Sequence, residues 1–104
     1  IGRKDFVVNS GGIKLFPEKI ERKMSKFLKD PFVVIGIPDE SLGEKLVVVF
    51  EGKVPKDYQK ALESLNKYEK PKKSLDFIKF KRLNNKVLRN EVLKKVLKIN
   101  GSNQ

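Results

Sequence analysis

The chain has 104 residues, a formal charge of +11, 36% charged and 38% hydrophobic residues, and neither cysteine nor histidine. That length suits one domain, because a second core would leave each half near the ~40–50 residue margin of independent folding. The composition excludes a disulfide scaffold, a thiol nucleophile, thiolate metal sites, imidazole bases and His-ligated zinc, and no apolar run approaches the ~18–20 residues of a membrane helix.

Ile1-Gly2-Arg3-Lys4-Asp5 lacks an apolar segment of the signal-peptide kind, and a start without Met is expected of a fragment excised from a longer chain. Phe6 to Asn9 reads as a short strand stopped by Ser10-Gly11-Gly12, and Ile13-Lys14-Leu15 pairs back to make a hairpin. Pro17 suits the first turn of a helix, with Glu18 and Glu21 at its positive end. Ile20, Met24, Phe27 and Leu28 follow helical spacing, and Asp30-Pro31 ends the element.

Phe32 to Ile37 is a continuous apolar run and reads as a buried strand, broken at Pro38-Asp39-Glu40. Leu46 to Phe50 reads as its antiparallel neighbour, ended by Glu51-Gly52. Pro55 is expected to open a helix through about Asn66, with Tyr58, Ala61, Leu62 and Leu65 on one face. A basic turn from Tyr68 to Ser74 leads to a third strand carrying Leu75, Phe77 and, with imperfect alternation, Ile78 and Phe80. Arg82 to Asn85 reads as a polar loop. Asn90 is placed to cap a last helix with Val92, Leu93, Val96 and Leu97, and residues 101–104 as a frayed tail. The order predicts an α+β domain over residues 1–100, with a short N-terminal hairpin and a mainly antiparallel three-stranded sheet packed with helices.

Charge is unevenly spread. Residues 67–98 hold twelve Lys/Arg against Glu69, Asp76 and Glu91, a local excess of +9. Such a surface attracts polyanions, although a solvated lysine-rich face is the ordinary explanation. With His and Cys absent, few catalytic designs remain. Asp39, Glu40 and Glu44 surround a turn, where acids commonly hydrogen-bond the backbone. A lysine aimed at a phosphate or carboxylate is better supported: Lys86 follows Leu83-Asn84-Asn85 between a strand and a helix, and an ammonium can track charge developing on a phosphoryl oxygen. Composition alone does not prefer Lys86 to the other lysines. Ser10-Gly11-Gly12 has two readings, a hairpin tip or a place where the backbone touches a ligand.

A series of motifs in order carries a family resemblance. Gly2-Arg3-Lys4-Asp5, Asn9-Ser10-Gly11-Gly12-Ile13-Lys14 and Phe16-Pro17-Glu18-Lys19-Ile20-Glu21 form the first block. Gly36-Ile37-Pro38-Asp39-Glu40 with Leu42-Gly43-Glu44, Tyr68-Glu69-Lys70-Pro71, and Asn84-Asn85-Lys86-Val87-Leu88-Arg89 follow. Over about residues 1–95 this series resembles the small mobile C-terminal domain of adenylate-forming enzymes, the superfamily of acyl-CoA synthetases, luciferases and peptide-synthetase adenylation domains. The Val-x-Asn-Ser-Gly-Gly-x-Lys stretch, the compact length and the Tyr-Glu-Lys-Pro turn look most like bacterial o-succinylbenzoate–CoA ligases of menaquinone biosynthesis.

The resemblance implies roles position by position. Arg3 matches an arginine that approaches ATP, and Asp5 the hinge about which the small domain swings. Ser10, Gly11 and Gly12 match the hairpin that meets the acyl group and the CoA arm in the thioester step. Lys86 matches the lysine that bridges carboxylate and α-phosphate during adenylation. ATP and CoA are implied as substrates, with Mg2+ accompanying ATP and no cofactor held tightly by this domain alone. The implied partners are the large N-terminal domain and a carboxylic acid, in the cytoplasm, with no membrane and no specific nucleic acid. The isolated fragment is expected to be inactive. Asn85 stands where a glycine is usual, Phe80-Lys81-Arg82 replaces the usual proline-basic-threonine lead-in, and Phe6 stands where a second acid is frequent. Asparagine tolerates left-handed φ better than most residues. Two alternatives stand beside this reading: another acyl-CoA synthetase or peptide-synthetase domain with the same chemistry, and a basic nucleic-acid-binding module, which would need exposed aromatic rings beside its basic groove.

Overall fold

A computed structural model describes residues 7–101. Its centre is a long hairpin of β3 (Phe32–Asp39) and β4 (Gly43–Phe50), paired antiparallel over the full length from Phe32↔Phe50 to Asp39↔Gly43. Side chains alternate between the two sheet faces. Val34, Leu46, Val48 and Phe50 enter one core, and Val33, Ile35, Ile37, Val47 and Val49 enter the other. Burial on both faces explains why these strands read as unbroken apolar runs.

The first face is covered by α1 (Pro17–Met24) and α2 (Tyr58–Glu63), which bring Ile20, Met24 and Ala61 into contact with the sheet, joined by Leu28 and Leu65 from the turns that follow. The second face is covered by α3 (Arg89–Gly101), through Val92 and Val96, and by Phe80. The domain is thus α+β with helices on both sides of a mainly antiparallel sheet.

The free edge of β4 is shared end to end by two short strands. β1 (Val8–Ser10) and β2 (Ile13–Leu15) form the N-terminal hairpin, which joins the sheet through Ser10↔Gly43. β5 (Lys73–Leu75) pairs parallel with Val47–Val49. The three-stranded unit of β3, β4 and β5 is therefore extended to five strands by the hairpin, in the order β2-β1-β4-β3 with β5 on β4. Tyr58 ties α2 to this edge: its ring meets Phe50 edge-on at 5.3 Å, and burial pushes its phenol up while a hydrogen bond with Ser74 opposes that shift.

Several boundaries differ from the sequence expectation. The third strand stops at Leu75, because Phe77 turns the chain at φ +56 and donates its N–H to Gly52 O at 3.0 Å. Phe77 is consequently 71% exposed and is not a strand residue. α1 ends at Met24, so Phe27 falls in the following turn and is 38% exposed, while Leu28 stays buried. Residues before Tyr58 form a turn, with Tyr58 N–H on Pro55 O at 3.2 Å, and α2 is one short helix. Asn90 lies inside α3 and is not its cap. The expected loop at Arg82–Asn85 is half of a second hairpin, β6 (Arg82–Leu83) and β7 (Lys86–Val87).

Candidate functional site

The tip of the first hairpin is Gly11-Gly12, with φ +58 and +83. Positive φ at both central residues gives a turn whose twist matches the flanking strands, and glycine adopts it without steric cost. Gly11 also donates its N–H to Leu42 O at 2.9 Å, and a Cβ there would lie 3.2 Å from the Leu42 side chain. Around Gly12 a Cβ would meet nothing within 4 Å, so this side of the tip is open. Ser10, Gly11, Ile13 and Leu42 line one wall of a groove of about 220 Å³, and Lys67, Tyr68 and Lys72 line the other. Tyr68 is 53% exposed, with the Lys67 ammonium 5.1 Å from its ring centroid.

The acids near this tip hold backbone. Asp39 Oδ2 accepts the N–H groups of Ser41 and Leu42 at 3.1 and 2.9 Å, closing the β3–β4 turn. Glu44 Oε1 accepts the N–H of Asn9 at 2.9 Å, fastening β1 beside β4. Among the described residues no cluster of three or more His, Cys, Asp or Glu could hold a metal ion.

Lys86 opens β7 at the tip of the second hairpin and is exposed. Its turn, Asn84-Asn85, has φ +54 and +67. Both asparagines take the left-handed conformation that a two-residue hairpin turn requires, a geometry they tolerate better than bulkier residues. Asn85 in place of glycine thus leaves the hairpin intact.

The second hairpin is separate from the main sheet. It is attached where β4 ends: Glu51 Oε1 accepts Arg82 Nη2 at 2.6 Å, and Glu51 Oε2 accepts Arg82 Nη1 and the Phe80 N–H, each at 2.9 Å. The Arg82 hydrogen bonds, then the Phe80 N–H, hold the Glu51 carboxyl down to about 2 from its ordinary 4.5. The structure therefore keeps the two predicted elements apart. Ser10-Gly11-Gly12 sits at the Gly43 end of β4 and the hairpin that carries Lys86 is fastened at the Glu51 end, with attachment points about 26 Å apart at a strand rise of ~3.3 Å per residue. Arg3 and Asp5 lie outside the described residues. Lys67, Tyr68 and Lys72, which share the groove with the first hairpin, read in the sequence only as part of a basic turn. Glu51 and Arg82 carried no signal, since an acid after a buried strand is an ordinary strand end.

This small α+β domain is similar to part of AMP-forming acyl-CoA synthetases of known structure. No family model matches the sequence, and no curated protein matches it. Solved structures do. An acyl-CoA synthetase (AMP-forming)/AMP-acid ligase II-like protein from Dyadobacter fermentans is 27% identical with a TM-score of 0.75, over 91% of this chain and 30% of that one. ATP-bound MatB from Rhodopseudomonas palustris is 25% identical with a TM-score of 0.69, over 91% of this chain and 20% of that one. An o-succinylbenzoate CoA synthetase (MenE) from Bacillus subtilis, bound with its product analogue OSB-NCoA, is 24% identical with a TM-score of 0.66, over 90% of this chain and 21% of that one. The last is a likeness of fold alone. The chain spans less than a third of the length of each of these proteins. No helix among the described residues is long and apolar enough to cross a membrane.

Proposed function

We propose that this chain is the mobile C-terminal domain of an ATP- and CoA-dependent acid–thiol ligase. The observation that carries the reading is the pair of turn-borne elements at opposite ends of β4, within a fold shared over 91% of the chain with an AMP-forming acyl-CoA synthetase-like protein. The reaction has two steps. The acid carboxylate attacks the α-phosphorus of ATP, pyrophosphate leaves, and an acyl-adenylate results. The CoA thiol then attacks the acyl carbonyl and AMP leaves.

The two steps ask different things of a small domain. Adenylation builds negative charge on oxygens at phosphorus, which the Lys86 ammonium stabilises. Thioester formation needs a passage for the pantetheine arm, which the open backbone of Gly11-Gly12 can line without side chains in the way. Attachment of the two elements at different ends of β4 supports rotation of the domain between the steps as part of the reading. Arg3 would approach ATP and Asp5 would serve as the hinge. The large N-terminal domain would hold the acid pocket and most of the nucleotide site, with the whole enzyme in the cytoplasm.

The narrower reading is that the acid is o-succinylbenzoate, supported by the Val-x-Asn-Ser-Gly-Gly-x-Lys stretch and the Tyr68-Glu69-Lys70-Pro71 turn. ATP–pyrophosphate exchange by the full-length chain carrying this domain, with o-succinylbenzoate and a panel of acyl and aryl acids, tests both levels. Exchange that collapses in Lys86→Ala supports the ligase reading, and the acid that drives it identifies the substrate. Exchange with another acid alone would retain the chemistry and discard o-succinylbenzoate. The 104-residue chain by itself is expected to release no AMP from ATP.

A further inference from the structure

We infer that Glu51 is a positioning residue for Lys86, acting through the Arg82 fork that fastens the lysine hairpin to the end of β4. The inference rests on the ligase reading above.

The lysine hairpin touches the rest of the domain at few points. β6 and β7 form their own two-stranded sheet, and residues 81–86 are all exposed. Backbone hydrogen bonds keep the hairpin together internally, with Leu88 N–H on Lys81 O at 2.9 Å and the pairs Arg82↔Val87 and Leu83↔Lys86. These bonds fix the shape of the hairpin and say nothing about where it points. Its direction is set on the outgoing side by Val87, which packs against the second core, and by α3, through buried Val92 and Val96, and on the incoming side by buried Phe80 and by Glu51.

On the β6 side, Glu51 is the part of this anchor that reaches into the hairpin itself. One carboxylate takes both terminal nitrogens of Arg82 and the N–H of Phe80, so it fixes two residues on either side of Lys81. A bidentate guanidinium–carboxylate pair constrains orientation as well as distance. The Arg82 guanidinium also lies 5.8 Å from the Phe80 ring centroid, which sets the arginine against the buried ring. Arg82 is directly followed by Leu83, the partner of Lys86 across the hairpin. A rotation of β6 about its root would therefore carry the Lys86 ammonium with it. Reaction geometry is sensitive on that scale, where a displacement of ~1 Å can cost about 100-fold in rate.

The test uses the full-length chain and the two half-reactions. Glu51→Gln is expected to lower the kcat of ATP–pyrophosphate exchange about tenfold or more, with the KM for ATP little changed. Thioester formation from preformed acyl-adenylate should stay within about twofold, because the Gly11-Gly12 hairpin is anchored at the other end of β4. In a Lys86→Ala background, Glu51→Gln should lower exchange no further, as a residue that acts only through Lys86 must do. Arg82→Gln, which leaves Glu51 its bond to Phe80, should behave in the same way and covers the case in which Glu51→Gln folds poorly. Exchange unchanged in both variants, equal loss in both half-reactions, or losses that multiply in the Lys86→Ala background would overturn the inference while leaving the ligase reading standing. Exchange that survives Lys86→Ala would overturn the role of Lys86 and this inference with it, whereas no exchange by the wild-type chain with any acid would overturn the ligase reading.

Discussion

Glu21 on α1 and Arg89 at the start of α3 form an ion pair across the outer edge of β3. Glu21 Oε1 accepts Arg89 Nη2, and its other oxygen accepts the Val34 N–H at 2.7 Å. Glu18 adds a carboxylate 3.6 Å from Arg89 Nη1. The two helices lie on opposite faces of the sheet, so the pair works as a clip around an edge strand. It also satisfies a backbone donor that β3 cannot offer to another strand. Both side chains are largely buried, at 13% and 21% exposed. Removing one partner of such a pair strands polar groups away from water. Glu21→Ala should therefore cost about 2–3 kcal/mol, and Glu21→Gln less, since the amide oxygen still accepts from Val34. Urea unfolding midpoints of the three chains check this; equal losses for Ala and Gln would mean that the Val34 bond contributes nothing.

Gly36 of β3 lies against the Val8 side chain of β1. A Cβ at this position would stand 2.5 Å from Val8 Cγ2 and 2.9 Å from Val8 Cγ1. Val8 is itself 4% exposed and belongs to the first core. Gly36→Ala should thus destabilise by about 1–3 kcal/mol through overpacking. Val8→Ala should cost stability by itself but remove most of the penalty of Gly36→Ala. A double-mutant cycle with additive losses would contradict the contact as the cause.

The Glu51 carboxyl gives the domain a defined acid sensitivity. Its folded-state value is about 2 against an ordinary 4.5. A lowered value means that its ionised form favours the folded state. That contribution is complete above pH 4.5 and is lost as the pH falls through about 2. Glu51→Gln has no such proton to bind. The gap in thermal unfolding midpoint between wild type and Glu51→Gln should be present at pH 7 and should close on acidification. Solvent screening at this partly exposed pair keeps the gap small. A gap of the same size at pH 7 and pH 2.5 would argue that the two proteins differ for another reason.

What could be read in advance depended on how far a local pattern decided the outcome. The apolar runs at 32–37 and 46–50 were legible because burial on both faces leaves no polar interruption. The Gly-Gly tip was legible because few residues accept two positive φ values in succession. Phe77 was not: the apolar spacing after Leu75 suggested a continuing strand, but the chain leaves the sheet by a left-handed turn at an aromatic residue, which no propensity rule favours. Asn84-Asn85 reads as a loop by composition, yet the same tolerance for positive φ makes it a hairpin turn. Lys86 stood out only through the motif around it. Glu51 did not stand out at all, because its importance lies in Arg82, 31 positions along the chain.

Phe77 carries the last prediction. It holds φ +56 with its ring 71% exposed, so it pays the cost of a left-handed backbone without the return of buried area. For a residue with a bulky Cβ substituent that conformation costs roughly 1–2 kcal/mol. Asparagine suffers less from the same backbone, and glycine almost not at all. The Phe77 N–H bond to Gly52 O is made by the backbone and survives either substitution. Phe77→Asn should therefore raise stability by about 0.5–1 kcal/mol, and Phe77→Gly by less than the relief of strain alone, because glycine gives the unfolded chain more freedom. Thermal unfolding of the three proteins measures the order. Loss of stability in both variants would mean that the exposed ring makes contacts worth more than the strain of its backbone.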